Sequence, residues 1–404
     1  MALNLVRFSD VNPSDFDTLV VGCGFAGSVC ARELAERGNK KILILECRPH
    51  IGGNMYDEKD DAGVLVHRYG PHIFHTNDKR AYDYICRFVK MDDYQHRVLA
   101  DVYGTFMPVP FNKTSMKLAF GEEKAERLTK KLIDTFGDER KVTITELREQ
   151  DDPDLAEIAD YVYENVFLHY TQKQWGLTPD EVDPSVVARV PVFISEDDRY
   201  FQDKYQGMPQ PSYTACFENM LDHENISVCL AVDARTVLDF EYDGSDDDSL
   251  VSSIKLDGVE FTGDIIYTGP LDELFDARFG RLPYRTLGFG YATYEQEKIL
   301  PCATVNETVT EEYTRMTEFK QLTGQKCDFT TVMCEYSKEY TDPETETPYY
   351  AILNDENRAH YEKYRALMKN MKNFHPLGRL AEYKYYNMDK IISLALELSD
   401  ELLK

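Results

Sequence analysis

The stretch Phe16 to Glu46, FDTLVVGCGFAGSVCARELAERGNKKILILE, restricts the fold more than any other part of the chain. Thr18 to Val21 reads as a buried strand, Gly22, Gly24 and Gly27 as a glycine-rich turn into a helix, and Gly38 as the close of that helix; a second strand ends at Glu46. A helix that starts behind a tight glycine turn offers unpaired N–H groups and a positive dipole end to a pyrophosphate. In this spacing Gly22 makes the turn, Gly24 admits close backbone approach, and Gly27 lets the helix lie near the sheet. Glu46 stands where a carboxylate accepts hydrogen bonds from a ribose diol. The same glycines in an ordinary βαβ unit would serve only for turning. With strand, helix, second strand and acid all in place, an ADP-containing dinucleotide is the better reading.

Around this unit, 404 residues exceed one simple core, so two or three packed domains are expected. The net charge of −27 argues against nucleic acid or an anionic membrane as partner. It also sets a condition: any anionic ligand must meet arginines concentrated locally. Nine cysteines with no CxxC pair suggest thiols in a reducing compartment. The start, MALNLVRFSDVNPSD, lacks a secretory pattern and reads as a polar extension; no apolar run has the length of a membrane span. A cytoplasmic protein is expected.

Along the chain, CRPHIGGN after Glu46 carries Gly52 and Gly53, a pair typical of flavin-binding rather than nicotinamide-binding relatives of such a unit. From Ser115 to about Tyr170, apolar residues at three-and-four spacing predict a helical insertion. It ends in YTQKQWG, which holds the single tryptophan, Trp175; the Pro- and Asp-rich segment 176–192 then reads as a loop long enough to move. Asp239 to Asp248 reads as a hairpin tip or surface loop, 281–368 as a mostly antiparallel sheet, and NMDKIISLALELSDELL as an amphipathic terminal helix.

Four groups outside the glycine turn are candidates for chemistry. His72 and His75 lie in GPHIFHT; His75 reads as an ordinary packed histidine, whereas His72 beside a Gly-Pro turn can approach a flavin ring. Tyr170 and Trp175 can stack on a nucleobase or cap a pocket, or simply fill a domain interface. Arg189 and Arg285, each set among apolar residues of an acidic chain, offer planar forks matched to phosphate. Gly378 and Arg379 form a turn before a helix whose positive end can face a flavin, with Tyr385 and Tyr386 as contacts or as packing.

These stretches together resemble the bacterial UDP-galactopyranose mutase family over nearly the whole chain. The likeness is carried by GGN at 52–54, GPHIFHTND at 70–78, YTQKQWG at 170–176, YQG at 205–207, IIYTGP at 265–270, LPYRTL at 282–287 and GRLAEYKYY at 378–386. It implies an α/β (α+β multi-domain) chain: a discontinuous Rossmann-like FAD-binding domain (1–90, 211–270 and 369–404), a helical domain (110–188), and a six-stranded antiparallel sheet domain (91–109, 189–210 and 271–368), assembled as a homodimer. The resemblance assigns FAD to Gly22, Gly24, Phe25, Ala26, Gly27, Glu46, Cys47, Gly53, Asn54, His72, Ile73, Gly378, Arg379 and Met388. It assigns the substrate to Phe167, Tyr170, Trp175, Arg189, Tyr200, Arg285, Tyr313, Tyr385, Asn387 and His96, with Arg189 and Arg285 gripping the two phosphates and His72 close to the flavin. Arg189, Arg285 and His72 form the implied catalytic set.

The reaction so implied exchanges UDP-galactopyranose and UDP-galactofuranose without net redox change, for a cell-surface polysaccharide. Reduced flavin N5 attacks the anomeric carbon and displaces UDP, the sugar ring opens and recloses, and UDP returns. NADH, NADPH or another reductant would bind transiently. Three positions depart from the pattern: Asn387 stands where an aspartate is usual, His96 where asparagine is expected, and Phe193 in place of an arginine, expected as a surface change. Two other classes compete: a flavin oxidase or dehydrogenase, which needs neither Arg189 nor Arg285, and a flavoprotein that binds a UDP-sugar without converting it.

Overall fold

Short apolar runs separated by helices pack as a parallel sheet because both faces must be covered. In the computed structural model, which describes residues 3–176, 191–246 and 248–404, five such runs form one sheet. Its order is Ile226–Leu230, Ile42–Glu46, Thr18–Val21, Asp264–Tyr267 and Phe374–Pro376. Every neighbouring pair is parallel, and Thr18–Val21 is buried along its whole length. All five strands fall within 1–90, 211–270 and 369–404, so distant parts of the sequence meet in one doubly wound unit. The fingerprint helix, Phe25–Gly38, lies on one face against the terminal helix, Met388–Leu402; there the Cys30 thiol donates to the Ala395 carbonyl at 3.4 Å.

Two details of this unit differ from expectation. The fingerprint helix ends one residue later than a Gly38 stop: Gly38 is its last helical residue, and Asn39 takes the left-handed turn at φ +51°. Asparagine tolerates that conformation, and Gly38 is needed for space, since a Cβ there would sit 2.5 Å from Leu403. The leading segment is no free polar extension either. Leu5 bridges Val228 in parallel, the Val6 amide donates to the Val228 carbonyl at 3.0 Å, and Val6, Phe8 and Val11 pack on the core.

The second sheet has seven strands among the described residues rather than six. Its order is Tyr350–Ala351, Tyr284–Tyr294, Thr330–Glu339, Arg315–Glu318, Thr304–Glu307, Val98–Val102 and Thr105–Val109. The pairing is antiparallel except between Thr304–Glu307 and Val98–Val102.

Between the last of these strands and residue 176 stand the helices. Glu122–Phe136 buries Ala125, Leu128 and Leu132, the one-face spacing its sequence shows. Ile144–Arg148 starts with a reciprocal Thr143–Glu146 capping box, and Pro153–Val162 starts with Asp152 as N-cap. A π-helical stretch, Tyr163–Leu168, links Pro153–Val162 to the aromatic helix, His169–Trp175. Phe193 is a correction. It is buried (6% exposed) in a short strand paired with Lys141–Val142, and the Lys141 ammonium lies 5.4 Å from its ring centre. An aromatic ring gains more there by leaving water than an arginine would.

Candidate active site

The first-turn amides of the fingerprint helix have no side-chain cap at Gly24 and face a cleft of about 650 Å³. Gly22 adopts φ +102°, and a Cβ there would fall 2.0 Å from Thr268 Oγ1. A Cβ on Gly27 would fall 2.0 Å from the Gly22 carbonyl oxygen, so only glycine allows this helix so near the strand. Gly53 closes on Gly24 backbone to backbone, and the Gly52 amide donates to the Cys23 carbonyl at 2.9 Å. The Glu46 carboxylate, 4% exposed, accepts the Cys23 amide at 2.8 Å and the Arg48 amide at 3.0 Å. These bonds hold it at the cleft with lone pairs to spare for a diol.

From this cradle the cleft continues past His72 to Arg315, Tyr349, Tyr350 and Arg379. Gly378, at φ +105°, turns the chain over Ala26, and its amide donates to Glu382 Oε2 at 3.0 Å. Arg379 donates through Nε to the Tyr386 carbonyl, and its guanidinium lies 4.9 Å from the Tyr385 ring and 6.0 Å from that of Tyr350. His72 Nδ1 is 2.8 Å from the Gly70 carbonyl, which can only accept, so that nitrogen carries the proton and Nε2 is left as an acceptor. Burial, then the nearby His67 and Arg379, holds the His72 pKa well below the usual imidazole value, so the ring is neutral.

Of the fourteen FAD positions named above, Gly27 and Ile73 stand back from the cleft and the other twelve line it. Gly27 acts through helix–strand contact, and Ile73 packs against the core. Among the described residues, none of the substrate positions lines this space. Trp175 meets Tyr350 at 5.9 Å, and Tyr350 stacks on Tyr385 at 6.1 Å with planes 20° apart. Tyr170 is half-buried, within electrostatic reach of Arg315, Tyr200 and Tyr350; loss of water around its hydroxyl pushes its phenol pKa up. His96 is 3% exposed, edge-on to Tyr200 at 5.8 Å and stacked on Phe201 at 5.8 Å. Asn387 is the N-cap of the terminal helix, with no capping bond from its side chain. Phe167 is buried in the helical core against Tyr163, and the Tyr313 ring packs on Tyr336. Arg189 and most of the loop 176–192 lie outside the described residues.

Arg285 is 7% exposed and donates to the Gln174 carbonyl at 3.1 Å, the Lys173 carbonyl at 3.4 Å and Ser337 Oγ at 3.2 Å. All three hydrogen-bond partners are neutral; among the described residues, the one carboxylate that bears on its charge is Glu339, opposite it in register on the neighbouring strand. Arg48 and Arg379 also donate to neutral groups, Asn54 Oδ1 (2.9 Å) and a carbonyl. Glu46, Asp233, Glu273, Glu344 and Glu346 also line the cleft, but Arg48, Arg285 and Arg379 keep guanidinium donors with no carboxylate hydrogen-bonded to them among the described residues, which suits an anionic ligand.

Three residues of this region escaped the sequence reading. The Arg48 guanidinium carbon lies over the Tyr69 ring, 4.1 Å from its centre. Arg315 is paired to buried Glu335 through Nε (2.9 Å) and Nη2 (2.8 Å), and lines the cleft. Tyr350 joins Trp175 to Tyr385. For Arg315 a signal was present: one cation and one acid, each inside a strand-like run, at a separation that hairpin pairing can close.

Comparison with known proteins follows the same lines. The sequence model of the UDP-galactopyranose mutase family matches residues 165–385, and that of NAD(P)-binding Rossmann-like domains matches 20–88. A probable UDP-galactopyranose mutase of Klebsiella pneumoniae is 37% identical over 388 residues, covering 95% of this chain and 94% of the relative. A dTDP-fucopyranose mutase of Escherichia coli is 33% identical, covering 96% and 98%. Among solved structures, a reduced UDP-galactopyranose mutase superposes with a TM-score of 0.68 at 15% identity, covering 96% of this chain and 94% of the other.

Proposed function

This chain belongs to the UDP-galactopyranose mutase family, and on that premise we propose that it interconverts UDP-galactopyranose and UDP-galactofuranose with FAD in its reduced state. The observation that carries the reading is the continuity of the cleft. One space runs from Gly22, Gly24 and Glu46, which suit the ADP half of FAD, to Arg315, Arg379 and Tyr350. An oxidase acting on a small apolar amine has no use for arginines at that end.

The reduced flavin would supply, through N5, the nucleophile for the anomeric carbon, so that the sugar ring opens and recloses with no net redox change. The chain's own part is to bind, orient and exclude water. Arg285, whose buried charge meets only neutral acceptors, grips the diphosphate, with Arg189 as its counterpart. The Trp175–Tyr350–Tyr385 wall shuts water from the sugar, and Tyr170 and Phe167 stand on the nucleobase side. Neutral His72 accepts a hydrogen bond at Nε2 beside the cofactor. A homodimer, transient reduction by NADH or NADPH, and residence in the cytoplasm complete the proposal. Among the described residues no helix is long and apolar enough to cross a membrane.

The test is turnover of UDP-galactofuranose by the yellow protein, anaerobically, with and without dithionite, with dTDP-fucopyranose assayed in parallel because of the Escherichia coli relative. Conversion of the UDP-sugar only after reduction is the expected result. Flavin-loaded protein that leaves it untouched in both redox states would overturn the assignment, and preference for the dTDP-sugar would move the substrate while keeping the reaction.

A further inference from the structure

The aromatic helix ends in a clamp made of polar atoms. The Lys173 ammonium has three protons, and all three meet backbone carbonyls: Glu307 at 2.5 Å, Glu311 at 2.9 Å and Tyr313 at 3.2 Å. These carbonyls belong to the turn region that joins the strands Thr304–Glu307 and Arg315–Glu318. The next carbonyl of the helix, that of Gln174, is held from the long sheet strands: the Ser337 hydroxyl donates to it at 2.6 Å and Arg285 Nε at 3.1 Å. The helix is thus tied through the side chain of residue 173 and through the backbone of residue 174.

A lysine in the last turn of a helix usually needs no such explanation, because a solvated cation already complements the dipole there. Lys173 is instead half-buried, and the loss of water lowers its pKa. That cost is met by a fixed three-point geometry. Two residues further on is Trp175, whose ring meets Tyr350.

We propose that Lys173, aided by Ser337, is a positioning residue whose three-carbonyl clamp fixes the final helical turn, so that Trp175 faces Tyr350 and the donors of Arg285 stand where the diphosphate arrives. The inference rests on the reading of Trp175 and Arg285 as substrate contacts. Its structural half can be tested without turnover, because Trp175 is the only tryptophan in the chain.

The experiment compares the full-length holoenzyme with Lys173→Met, Lys173→Arg and Ser337→Ala. Without ligand, Trp175 emission moves to longer wavelength and becomes more open to acrylamide in all three, while the flavin content stays at the wild-type level. In Michaelis analysis, Lys173→Met raises KM for the UDP-sugar about tenfold and leaves kcat nearly unchanged, as expected for one lost charge-assisted contact that acts through binding. Lys173→Arg behaves like Lys173→Met, because a planar fork does not present three donors from one point. Wild-type emission and KM in Lys173→Met, or full rescue by arginine, would overturn the clamp in favour of a simple end charge. If Lys173→Met does not fold, Ser337→Ala decides by the same two readouts. Should the wild-type protein turn over no UDP-sugar, the emission shift still judges the clamp and the failure belongs to the substrate reading.

Discussion

Replacing Gly27 by alanine tests whether close approach of helix and strand builds the cofactor cradle. The new Cβ would fall 2.0 Å from the Gly22 carbonyl oxygen and 2.8 Å from Val20 Cγ1. Relaxed contacts lie near ~3.5 Å, so the helix must retreat by more than ~1 Å. Neither neighbour can yield, because Val20 is fully buried in the central strand and Gly22 is committed to a turn at φ +102°. Overpacking of this kind costs about 1–3 kcal/mol, equivalent to about 5- to 150-fold in cofactor affinity if the strain appears on binding. The assay is flavin-to-protein ratio after gel filtration, with melting curves before and after added FAD. Gly27→Ala should elute pale and recover part of its Tm when FAD is supplied. Gly24→Ala is the informative control: a Cβ there meets only Gly53 Cα, at 3.8 Å, so apoprotein stability should stay unchanged while affinity falls at the cleft. Stoichiometric FAD and a wild-type Tm in Gly27→Ala would refute the reasoning.

Three further outcomes follow from the geometry. Glu335→Gln leaves the Arg315 cation, which is partly open to the cleft, without its buried carboxylate and should cost about 1.5–3 kcal/mol in urea melts; a loss below ~0.5 kcal/mol would mean that cleft water already screens the pair. Burial, then Arg315 and His75, pushes the His96 pKa down to about 3, so the unfolded chain takes up the proton first. Its contribution to stability is therefore complete above ~pH 6.5 and falls by about 1.4 kcal/mol per unit as pH drops towards 3; urea melts of His96→Gln should show a shallower acid slope, and an unchanged slope would exclude His96 as its source. Gly176→Ala places a Cβ 2.8 Å from Arg285 Nη1 at φ +68°, so KM for the UDP-sugar should rise about tenfold, and an unaltered KM would separate Arg285 from the substrate.

What could be read from the sequence was local. The Phe16–Glu46 unit announces itself because its glycines and strands are contiguous, and the amphipathic helices show their buried face through spacing alone. Arg315 and Tyr350 stayed hidden because membership of the site depends on strand register: Arg315 reaches Glu335 only when their strands pair antiparallel, and Tyr350 reaches Trp175 only through the edge of the same sheet. The leading segment misled for a compositional reason. Its Asn, Asp, Ser and Arg residues outnumber Leu3, Val6, Phe8 and Val11, yet these four pack against the core. Phe193 looked like a surface exchange for an arginine because nothing in its neighbourhood reveals the short strand Lys141–Val142 that covers it.

The bridge between Leu5 and Val228 bears on what covers the margin of the parallel sheet. Ile226–Leu230 is the outermost strand of the parallel sheet on that side, and an outermost strand presents a row of unmet amides and carbonyls to any extended peptide. The residues before the glycine motif occupy that row, as a selvedge keeps a woven cloth from unravelling. A chain shortened to begin at Phe16, where the recognisable motif begins, would keep every cofactor contact named above and bare this margin. Its characteristic failure would be self-association through Ile226–Leu230, growing with protein concentration, rather than loss of flavin.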